Sequence, residues 1–399
     1  MLESQIALMK ARLRERTGCR ETDIRVVRSP LRVSPLGAHV DHQDGLVTGM
    51  AIDRAIYLAF VPRDDGWVRV ESHNFSGCLE FGLDDIPAMA PADWGNYARG
   101  AALALQQSYD LRVGIDAVVM GMMPIGGLSS SAAVGIAYLL ALEAVNDLQL
   151  SAEENIELDR YIENVYLGLK NGVLDQSMIL LSDRDCLTYL DCQSMAVKRI
   201  ATSASPEAFE ILVVYSGVRQ ALVGTDYNNR VNECRQAARL MLEWSGHPGY
   251  NGDARLRLVP PEVYATYADR LPAPLDRRAR HFFTELERVR AGVEAWRDGN
   301  IAQMGQLMRE SGASSVHNYE SGCPHLTSLY EVLRECPGVY GARFSGGGFR
   351  GSCIGLSNPA RRDEITAWIA ARYPEAHPDI SDAYSIHFCQ TSEAAQLVD

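Results

Sequence analysis

The chain has 399 residues, of which 47% are hydrophobic and 22% are charged. These proportions are typical of a globular protein and argue against disorder. Asp and Glu number 51 against 38 Lys and Arg, a formal net charge of −13. Because nucleic acids and anionic membranes bind basic faces, neither is expected as the main partner. The length allows two or three domains, and an anionic small molecule could still bind where several arginines converge in a cleft.

Cysteine spacing and hydropathy indicate a reducing setting without a membrane span. None of the nine cysteines forms a C-x-x-C pair, so we expect free, mostly buried thiols rather than a zinc ribbon or a redox site. The N-terminus lacks the apolar segment of a signal peptide. Proline, glycines and serines break the uncharged stretch between Asp116 and Glu143. We therefore expect a soluble, cytoplasmic protein.

The first part of the chain is predicted to mix strands and helices. An amphipathic helix comes first, followed by short strands that Pro30 and Pro35 interrupt. Residues 55–73 alternate like a hairpin around an Asp-Asp-Gly turn. A β-rich run at 114–124 precedes a Gly/Ser loop and a uniformly apolar helix over 131–145, which must be buried.

The rest of the chain continues this mixed pattern. Ser151 and the acids after it predict the start of a helix, and Asn171-Gly172 predicts its end. Strands are expected at 186–192 and 209–217. Mostly helical patterns follow, and residues 338–356 return to strand, glycine loop and strand. The pattern predicts an α+β fold of two halves.

Three loops carry residue types that suit phosphate and small-ligand chemistry, and the first of these motifs covers residues 29–45. It brings polar side chains together around a glycine: Arg32, His39, Asp41 and His42. Two histidines and an aspartate could bind a metal, but H-V-D-H has neither i,i+4 spacing nor a fourth ligand. Side chains directed at the hydroxyls of a small ligand fit the pattern better.

The second motif, residues 124–143, has glycines and three serines at the start of the buried helix. Free N–H groups and the positive end of the helix dipole make such a loop an anion cradle, and a serine hydroxyl can bind Mg²⁺. It is not a Walker A loop, and a plain serine cap with a glycine turn is the alternative interpretation. The residues expected to form this cradle are Gly126, Gly127, Leu128, Ser129, Ser130 and Ser131.

The third motif, residues 342–353, contains three consecutive glycines between strand-like residues. They allow the backbone to approach a ligand or another loop closely, and a β-bulge or tight turn is the alternative interpretation. Gly346 and Gly347 are the candidates for contact with a ligand.

Together the three motifs resemble those of the GHMP small-molecule kinases, in particular the galactokinases, and they occur in the same order. The resemblance covers nearly the whole chain through short segments such as WGNYARGA, KNGVLDQ, DYNNRVNEC, RRARHFF and NYESGCPHL. It implies a two-domain α+β GHMP kinase fold, with domains at 1–195 and 196–399. ATP and Mg²⁺ would bind in the cleft between them, with ATP in contact with residues 126–131 of the second motif and with Gly346 and Gly347 of the third.

The resemblance also implies how phosphoryl transfer would work. Asp175 would accept the proton of the sugar's anomeric hydroxyl as that oxygen attacks the γ-phosphate. Arg32 would pair with Asp175 and offset the charge that develops on the phosphoryl group. Glu163 and Ser130 would bind Mg²⁺, although a solvated helix acid is the alternative for Glu163. A continuous helix would separate Glu163 from Asp175 by about 18 Å, so the helix must end between them.

Contacts with the sugar and with the adenine follow from the same resemblance. The residues that match the family's sugar contacts are His39, Asp41, Gly172 and Tyr227. Trp94 matches an aromatic residue near the adenine. For both Trp94 and Tyr227 a core aromatic is the alternative.

One departure from the galactokinases concerns the sugar itself. Galactokinases read G-E-H-T-D-Y, with the Glu at the sugar's 6-hydroxyl, whereas this chain reads G-A-H-V-D-H over residues 37–42. A glutamate 4 Å from a carboxylate at C6 would cost about 4 kcal/mol at an effective dielectric near 20, about a thousandfold in affinity. Ala38 removes that repulsion. The pattern resembles the galacturonokinases of plants and implies phosphorylation of D-galacturonate to α-D-galacturonate 1-phosphate.

Several alternatives stay open. Either His42 or Arg350 could pair with a uronate carboxylate, but a packed histidine and a surface or phosphate-binding arginine are equally consistent. Ala38 also suits a sugar without C6, such as L-arabinose, and galactokinase or arabinokinase activity is the second candidate. The second motif is one residue shorter than the family pattern, and some relatives are sensors that bind ATP and sugar without turnover. The presence of Arg32 and Asp175 argues against a sensor.

Overall fold

Runs of strands and runs of helices follow one another along the chain, which the computed structural model describes for residues 2–123, 126–205, 207–218, 226–246, 252–349 and 351–398. The strands are β1 Arg25–Val33, β2 Leu46–Arg63, β3 Trp67–Ser72, β4 Cys78–Gly82, β5 Gly114–Gly121, β6 Cys186–Asp191, β7 Ala196–Ala201, β8 Glu210–Tyr215, β9 Val339–Phe344, β10 Ser352–Ser357, β11 Ser385–Cys389 and β12 Gln396–Val398. The helices are α1 Leu2–Thr17, α2 Asn96–Gln106, α3 Ser130–Val145, α4 Ala152–Arg160, α5 Leu174–Leu181, α6 Tyr227–Ser245, α7 Pro261–Tyr267, α8 Leu275–Arg297, α9 Ile301–Ser314, α10 Pro324–Arg334 and α11 Arg362–Ala376.

The strands form two sheets. The larger runs β12-β1-β2-β5-β3-β4, and the hairpin β6-β7 extends it from β2. The smaller runs β11-β8-β10-β9. Helix α3 packs on β1 and β2 with α2 beside it, and most of its apolar residues are buried while the rest are half-buried, as the sequence predicts. The α+β prediction is confirmed.

The division of the chain at 195/196 falls in the turn between β6 and β7, which pair with each other. The change from the larger to the smaller sheet therefore comes after Ala201. The last strand, β12, returns to pair with β1, so the end of the chain belongs to the larger sheet. The two-domain boundary itself stays a prediction.

The predicted hairpin over residues 55–73 is wrong. Strands β2 and β3 follow each other with a tight turn, but β5 lies between them in the sheet. It pairs antiparallel with β2 and parallel with β3. The local alternation of apolar and polar residues indicates that both segments are strands. It cannot predict that β5, about forty residues further on, lies between them.

The strand break predicted at Pro30 is also wrong, because β1 continues through it. Its pairing with β2 shifts between Pro30 and Arg32, so the chain forms a bulge where proline cannot donate a hydrogen bond. This irregularity directly precedes the arginine that the first motif contributes. The helix α4, capped by Ser151 as predicted, widens at Tyr161–Tyr166 and ends there, earlier than expected.

The nine cysteines are all free, and most are buried or half-buried. Among the described helices, none is both long enough and apolar enough to cross a bilayer.

Helix α9 lies so close to β9 that replacing Gly305 by alanine is expected to destabilise the fold. An added Cβ would collide with the backbone carbonyl of Tyr340, and such overpacking costs about 1–3 kcal/mol. In an exposed helix the same change would stabilise the fold by roughly 1 kcal/mol. The sign of the change in unfolding free energy therefore shows whether Gly305 is tightly packed. Urea denaturation measures it, with Gln306→Ala on the exposed face of α9 as the control. Equal stability of the two variants would contradict this packing.

Candidate active site

The three motifs meet around a cavity of about 170 Å³. Its walls come from β1 and the loop after it, from the segment between α4 and α5, from the start of α6 and from the loop after β9. The lining residues are Arg32, Ser34, Gly37, Ala38, His39, Asp41, Tyr97, Ser131, Glu163, Leu169, Asn171, Leu174, Asp175, Tyr227, Arg343, Gly346 and Gly347.

Arg32 occupies the centre of this arrangement and is almost completely buried. Its Nε and Nη2 donate to Oδ1 of Asp175 at 2.8 and 2.7 Å. Its Nη1 donates to the Gly127 carbonyl and to Oγ of Ser345, both at 3.3 Å. One side chain of the first motif thus contacts the second motif, the third motif and the predicted base. The pairing of Arg32 with Asp175 is present as the resemblance implied.

Glu163 and Asp175 share the cavity because the helix between them ends. Glu163 lies in the widened turn after α4, and Asp175 lies in the first turn of α5. The intervening segment folds back, and Nδ2 of Asn171 donates a hydrogen bond to Glu163. Buried and facing Asp175, Glu163 is not the solvated helix acid that the sequence left as an alternative.

Burial and mutual repulsion alter the acids of the site. Burial, and then the charge of Asp175, raise the pKa of Glu163 to about 7 and that of Asp41 to about 6. Asp159, one turn before Glu163 on α4, is fully buried, and neither of its oxygens has a hydrogen-bond partner among the described residues. Burial and the charge of Glu163 raise the pKa of Asp159 far above its ordinary range. The site therefore holds more acid than its buried arginines neutralise.

Gly172 contributes to the site because it has no side chain that would collide with the first motif. An added Cβ at Gly172 would lie 2.6 Å from Oδ2 of Asp41, and the backbone N–H of Leu174 donates to that same oxygen at 3.5 Å. The segment before α5 can therefore approach the first motif only with glycine at this position. Gly172 does not line the cavity, but it sets the position of Asp41, which does.

The backbone of the first motif is fixed by a residue that the sequence analysis missed. Oε1 of Glu285, on α8, accepts hydrogen bonds from the N–H groups of Gly37 and Ala38 at 2.8 and 3.0 Å and from Ser311 Oγ at 2.7 Å. Arg288 pairs with its other oxygen at 2.7 Å. The Arg288 charge offsets burial and lowers the pKa of Glu285 to about 2. A charged carboxylate thus holds the loop that carries Ala38.

The two histidines of the first motif have different surroundings. His39 lines the cavity, stacks on Tyr319 with ring centroids 4.1 Å apart, and lies 3.2 Å from Ser321 Oγ. His42 lies outside the lining; its Nε2 is 3.0 Å from Tyr319 Oη and its Nδ1 is 3.0 Å from Gln43 Nε2. Burial lowers the pKa of His42 to about 3. His42 is therefore a neutral, packed histidine, which was the alternative to a charge partner.

The glycines of the second and third motifs pack against each other. An added Cβ at Gly127 would lie 2.7 Å from the Ser352 backbone nitrogen, and one at Gly351 would lie 2.5 Å from the Gly127 nitrogen. Both glycines have positive φ angles. Of the two interpretations of the third motif, close approach to another loop is the one observed for these residues, while Gly346 and Gly347 line the cavity.

At the start of α3 the serines do not cap the helix in the ordinary way. Ser129 has a left-handed backbone, its side chain makes no capping bond, and its buried hydroxyl has no partner among the described residues. Ser131, rather than Ser130, lines the cavity, as Glu163 does. The uncapped first turn leaves donors for an anion, which favours the cradle over a plain serine cap.

The remaining predicted residues lie in three places. Tyr227, the first residue of α6, is buried and lines the cavity. Trp94 is half-buried outside the lining, and its ring is nearly parallel to that of Phe75, with centroids 6.3 Å apart. Arg350, together with part of the shortened second motif at residues 124–125, lies outside the described residues.

Comparison with known proteins identifies the family of the chain. The profile of the GHMP kinases N terminal domain matches residues 96–183, that of the GHMP kinases C terminal domain matches 290–375, and the galactokinase galactose-binding signature matches 11–62. The chain is 41% identical to a galacturonokinase of Arabidopsis thaliana over 99% of both chains, and 36% identical to a galactokinase of Chloroflexus aggregans over 88% of both. The crystal structure of Lactococcus lactis galactokinase complexed with galactose matches with a TM-score of 0.89 and 25% identity, over 99% of this chain and 100% of that one.

The chain belongs to the GHMP kinases, and the resemblance and fold that the three motifs predicted are confirmed. More particularly, it is a sugar kinase related to the galactokinases and galacturonokinases, with ATP as its co-substrate.

Replacing Glu163 by glutamine is expected to stabilise the metal-free protein at alkaline pH. Folding raises the Glu163 pKa from 4.5 to about 7, so the folded state holds a proton that the unfolded state has released. Stability therefore falls as pH rises between these values and stays lowered above them. Glutamine removes this cost, a gain of about 3 kcal/mol near pH 8 and none near pH 4.

Urea denaturation in the presence of EDTA measures this gain at both pH values. The exposed Glu157 of α4, which pairs with Arg160 at the surface, supplies the control, because losing such an exposed pair costs at most about 1 kcal/mol. A gain at Glu163→Gln that is the same at both pH values would show that the carboxyl is not perturbed by its surroundings.

Proposed function

We propose that this sugar kinase transfers the γ-phosphoryl group of ATP to the anomeric hydroxyl of D-galacturonate, giving α-D-galacturonate 1-phosphate. The observation that carries this proposal is Ala38, which lines the cavity on a backbone held by Glu285. A glutamate there would repel a carboxylate at C6 of the sugar. The 41% identity to a galacturonokinase over the full chain supports the same substrate.

Asp175 is proposed as the base. Both hydrogen bonds from Arg32 end on Oδ1, so Oδ2 is the oxygen proposed to take the proton of the anomeric hydroxyl. Arg32 holds Asp175 in one orientation and offers its positive charge to the transferring phosphoryl group. His39, Asp41 and Tyr227 are proposed to bind the sugar hydroxyls, since all three line the cavity.

The first turn of α3 and the glycines of the third motif are proposed to hold the phosphates. The uncapped N–H groups and the Ser129 hydroxyl supply donors there. Trp94, with Phe75 parallel to it, is proposed to hold the adenine, because two such faces suit a planar base.

Magnesium fits the donors at the cavity. Glu163 is buried beside Asp175, and a cation would relieve the repulsion that raises its pKa. Glu163, which lines the cavity, and Ser130, directly before the lining Ser131, are the proposed ligands; carboxylate and hydroxyl oxygens are the donors that Mg²⁺ prefers. Bound Mg²⁺ would neutralise phosphate charge during transfer.

Turnover of a sugar panel tests the proposal. The purified chain is assayed for ADP formation with D-galacturonate, D-galactose, D-glucuronate and L-arabinose, in the presence of Mg²⁺. Turnover is expected with galacturonate, and Asp175→Asn should lower kcat at least a hundredfold, because a positioned base contributes about 10²–10⁴. Circular dichroism of the variant controls for folding, since the substitution leaves Arg32 without its counter-charge.

The pattern across the panel separates the alternatives. Turnover of galactose or arabinose in place of galacturonate would keep the kinase and overturn the uronate assignment. Binding of ATP and sugar without any turnover would indicate a sensor. Full activity of Asp175→Asn would remove the assignment of the base.

The variant Ala38→Glu is expected to reverse the preference between acidic and neutral sugars. The introduced carboxylate should lower kcat/KM for galacturonate by about a thousandfold and accept a hydrogen bond from the 6-hydroxyl of galactose. Ala38→Gln, which has the same length without the charge, is the matched control and should affect the acid much less. An unchanged ratio of the two sugars in Ala38→Glu would show that residue 38 does not face C6.

A further inference from the structure

Arg343 is a buried arginine in the cavity wall for which phosphoryl transfer provides no role. It lies on β9, directly before the glycines of the third motif, and only 2% of its surface is exposed. Its Nη1 donates to the carbonyl oxygens of Ser34 and Pro35 at 3.0 and 3.5 Å. Its Nε is buried and has no hydrogen-bond partner among the described residues.

The positive charge of Arg343 is not neutralised by a direct ion pair. No described carboxylate lies within 4.0 Å of it, whereas Arg32 has such a partner. Glu285 acts on Arg343 from further away, but its oxygens already accept bonds from two backbone N–H groups, Ser311 and Arg288. Burial lowers the pKa of Arg343 to about 10. A buried cation in this state gains more than an exposed one from an anion that enters the cavity.

The other residues that could present a positive charge to an anion in the cavity are either already paired or neutral. Arg32 is bonded to Asp175. Burial holds the pKa of His39 well below its ordinary value, and that of His42 at about 3. Among the described lining residues, Arg343 is therefore the cation that has no carboxylate partner, and it shares the cavity with Ala38.

We propose that Arg343 binds the C6 carboxylate of the sugar and is the residue that selects an acidic sugar. This inference rests on the proposed function. The planar guanidinium matches a carboxylate in shape and can donate two parallel hydrogen bonds to it. With a glutamate at position 38, as in the galactokinase pattern, the protein itself would bring a negative charge to this wall. With Ala38 the substrate supplies it.

The experiment compares a charged sugar with its neutral isostere. kcat/KM is measured for D-galacturonate and D-galacturonamide with the wild-type chain, Arg343→Met and Arg343→Lys. The wild type should prefer the acid by about a hundredfold, the usual effect of a buried charged pair. Arg343→Met should reduce the preference to less than about threefold, and Arg343→Lys, which keeps the charge, should retain most of it.

Arg288→Met is the control, because Arg288 is a neighbouring half-buried arginine that contacts Glu285 and does not line the cavity. It should lower turnover of acid and amide alike and leave their ratio near the wild-type value. This readout separates recognition of the carboxylate from a general loss of packing.

Each result decides the proposal. An unchanged acid-to-amide ratio in Arg343→Met, or a rise in the KM for ATP that is equal for both sugars, would overturn it. If neither Arg343 variant folds, the acid-to-amide ratio of kcat/KM in the wild type tests the proposal. A ratio below about threefold would mean that no cation binds the carboxylate and would overturn the proposal. A wild type that phosphorylates galactose and neither C6 derivative would overturn the proposed function itself, an outcome distinct from failure at Arg343 alone.

Discussion

Burying a guanidinium costs free energy that only paired charge and hydrogen bonds recover, and Arg32 recovers it from three distant parts of the chain. Its partners are Asp175 at the start of α5, the Gly127 carbonyl before α3 and Ser345 after β9. The first two belong to segments around the larger sheet and the third to the smaller sheet. The side chain that orients the proposed base therefore also joins the two sheets, so that correct assembly and a competent site both depend on Arg32.

The acids around Arg32 give the site its electrostatic character. Four acids lie close together in the region of the buried Arg32: Asp41, Asp159, Glu163 and Asp175. The first three have raised pKa values. Such an excess of buried carboxyl groups favours whatever brings positive charge, whether protons or a divalent cation. The arrangement suits an enzyme whose co-substrate arrives as a polyphosphate, because the phosphates and their cation together complete the charge balance.

The sequence predicted the parts of this site that are local. Glycine runs, the serine-led start of α3 and the end of the helix before Asp175 all follow from residue chemistry within a few positions. It did not predict the place of β5 between β2 and β3, because strand order depends on pairing across tens of residues. Glu285 and Arg343 were missed for a similar reason. On a helix and a strand they look like ordinary charged residues, and their partners at residues 34–38 lie about 250–310 positions away.

At the proposed sugar end of the cavity, the residue that holds the loop differs from the residues proposed to select the substrate. Glu285 fixes the backbone N–H groups of Gly37 and Ala38, so a new side chain at position 38 changes the chemistry of the wall without releasing the loop. Such a side chain changes whether the protein or the sugar supplies the negative charge that is proposed to pair with Arg343. A single carboxylate near Arg343 pairs with its charge. Two carboxylates there would repel each other, and without any carboxylate the arginine stays unpaired. In the proposed mechanism, discrimination between acidic and neutral sugars therefore follows from charge balance beside a loop that Glu285 holds in place.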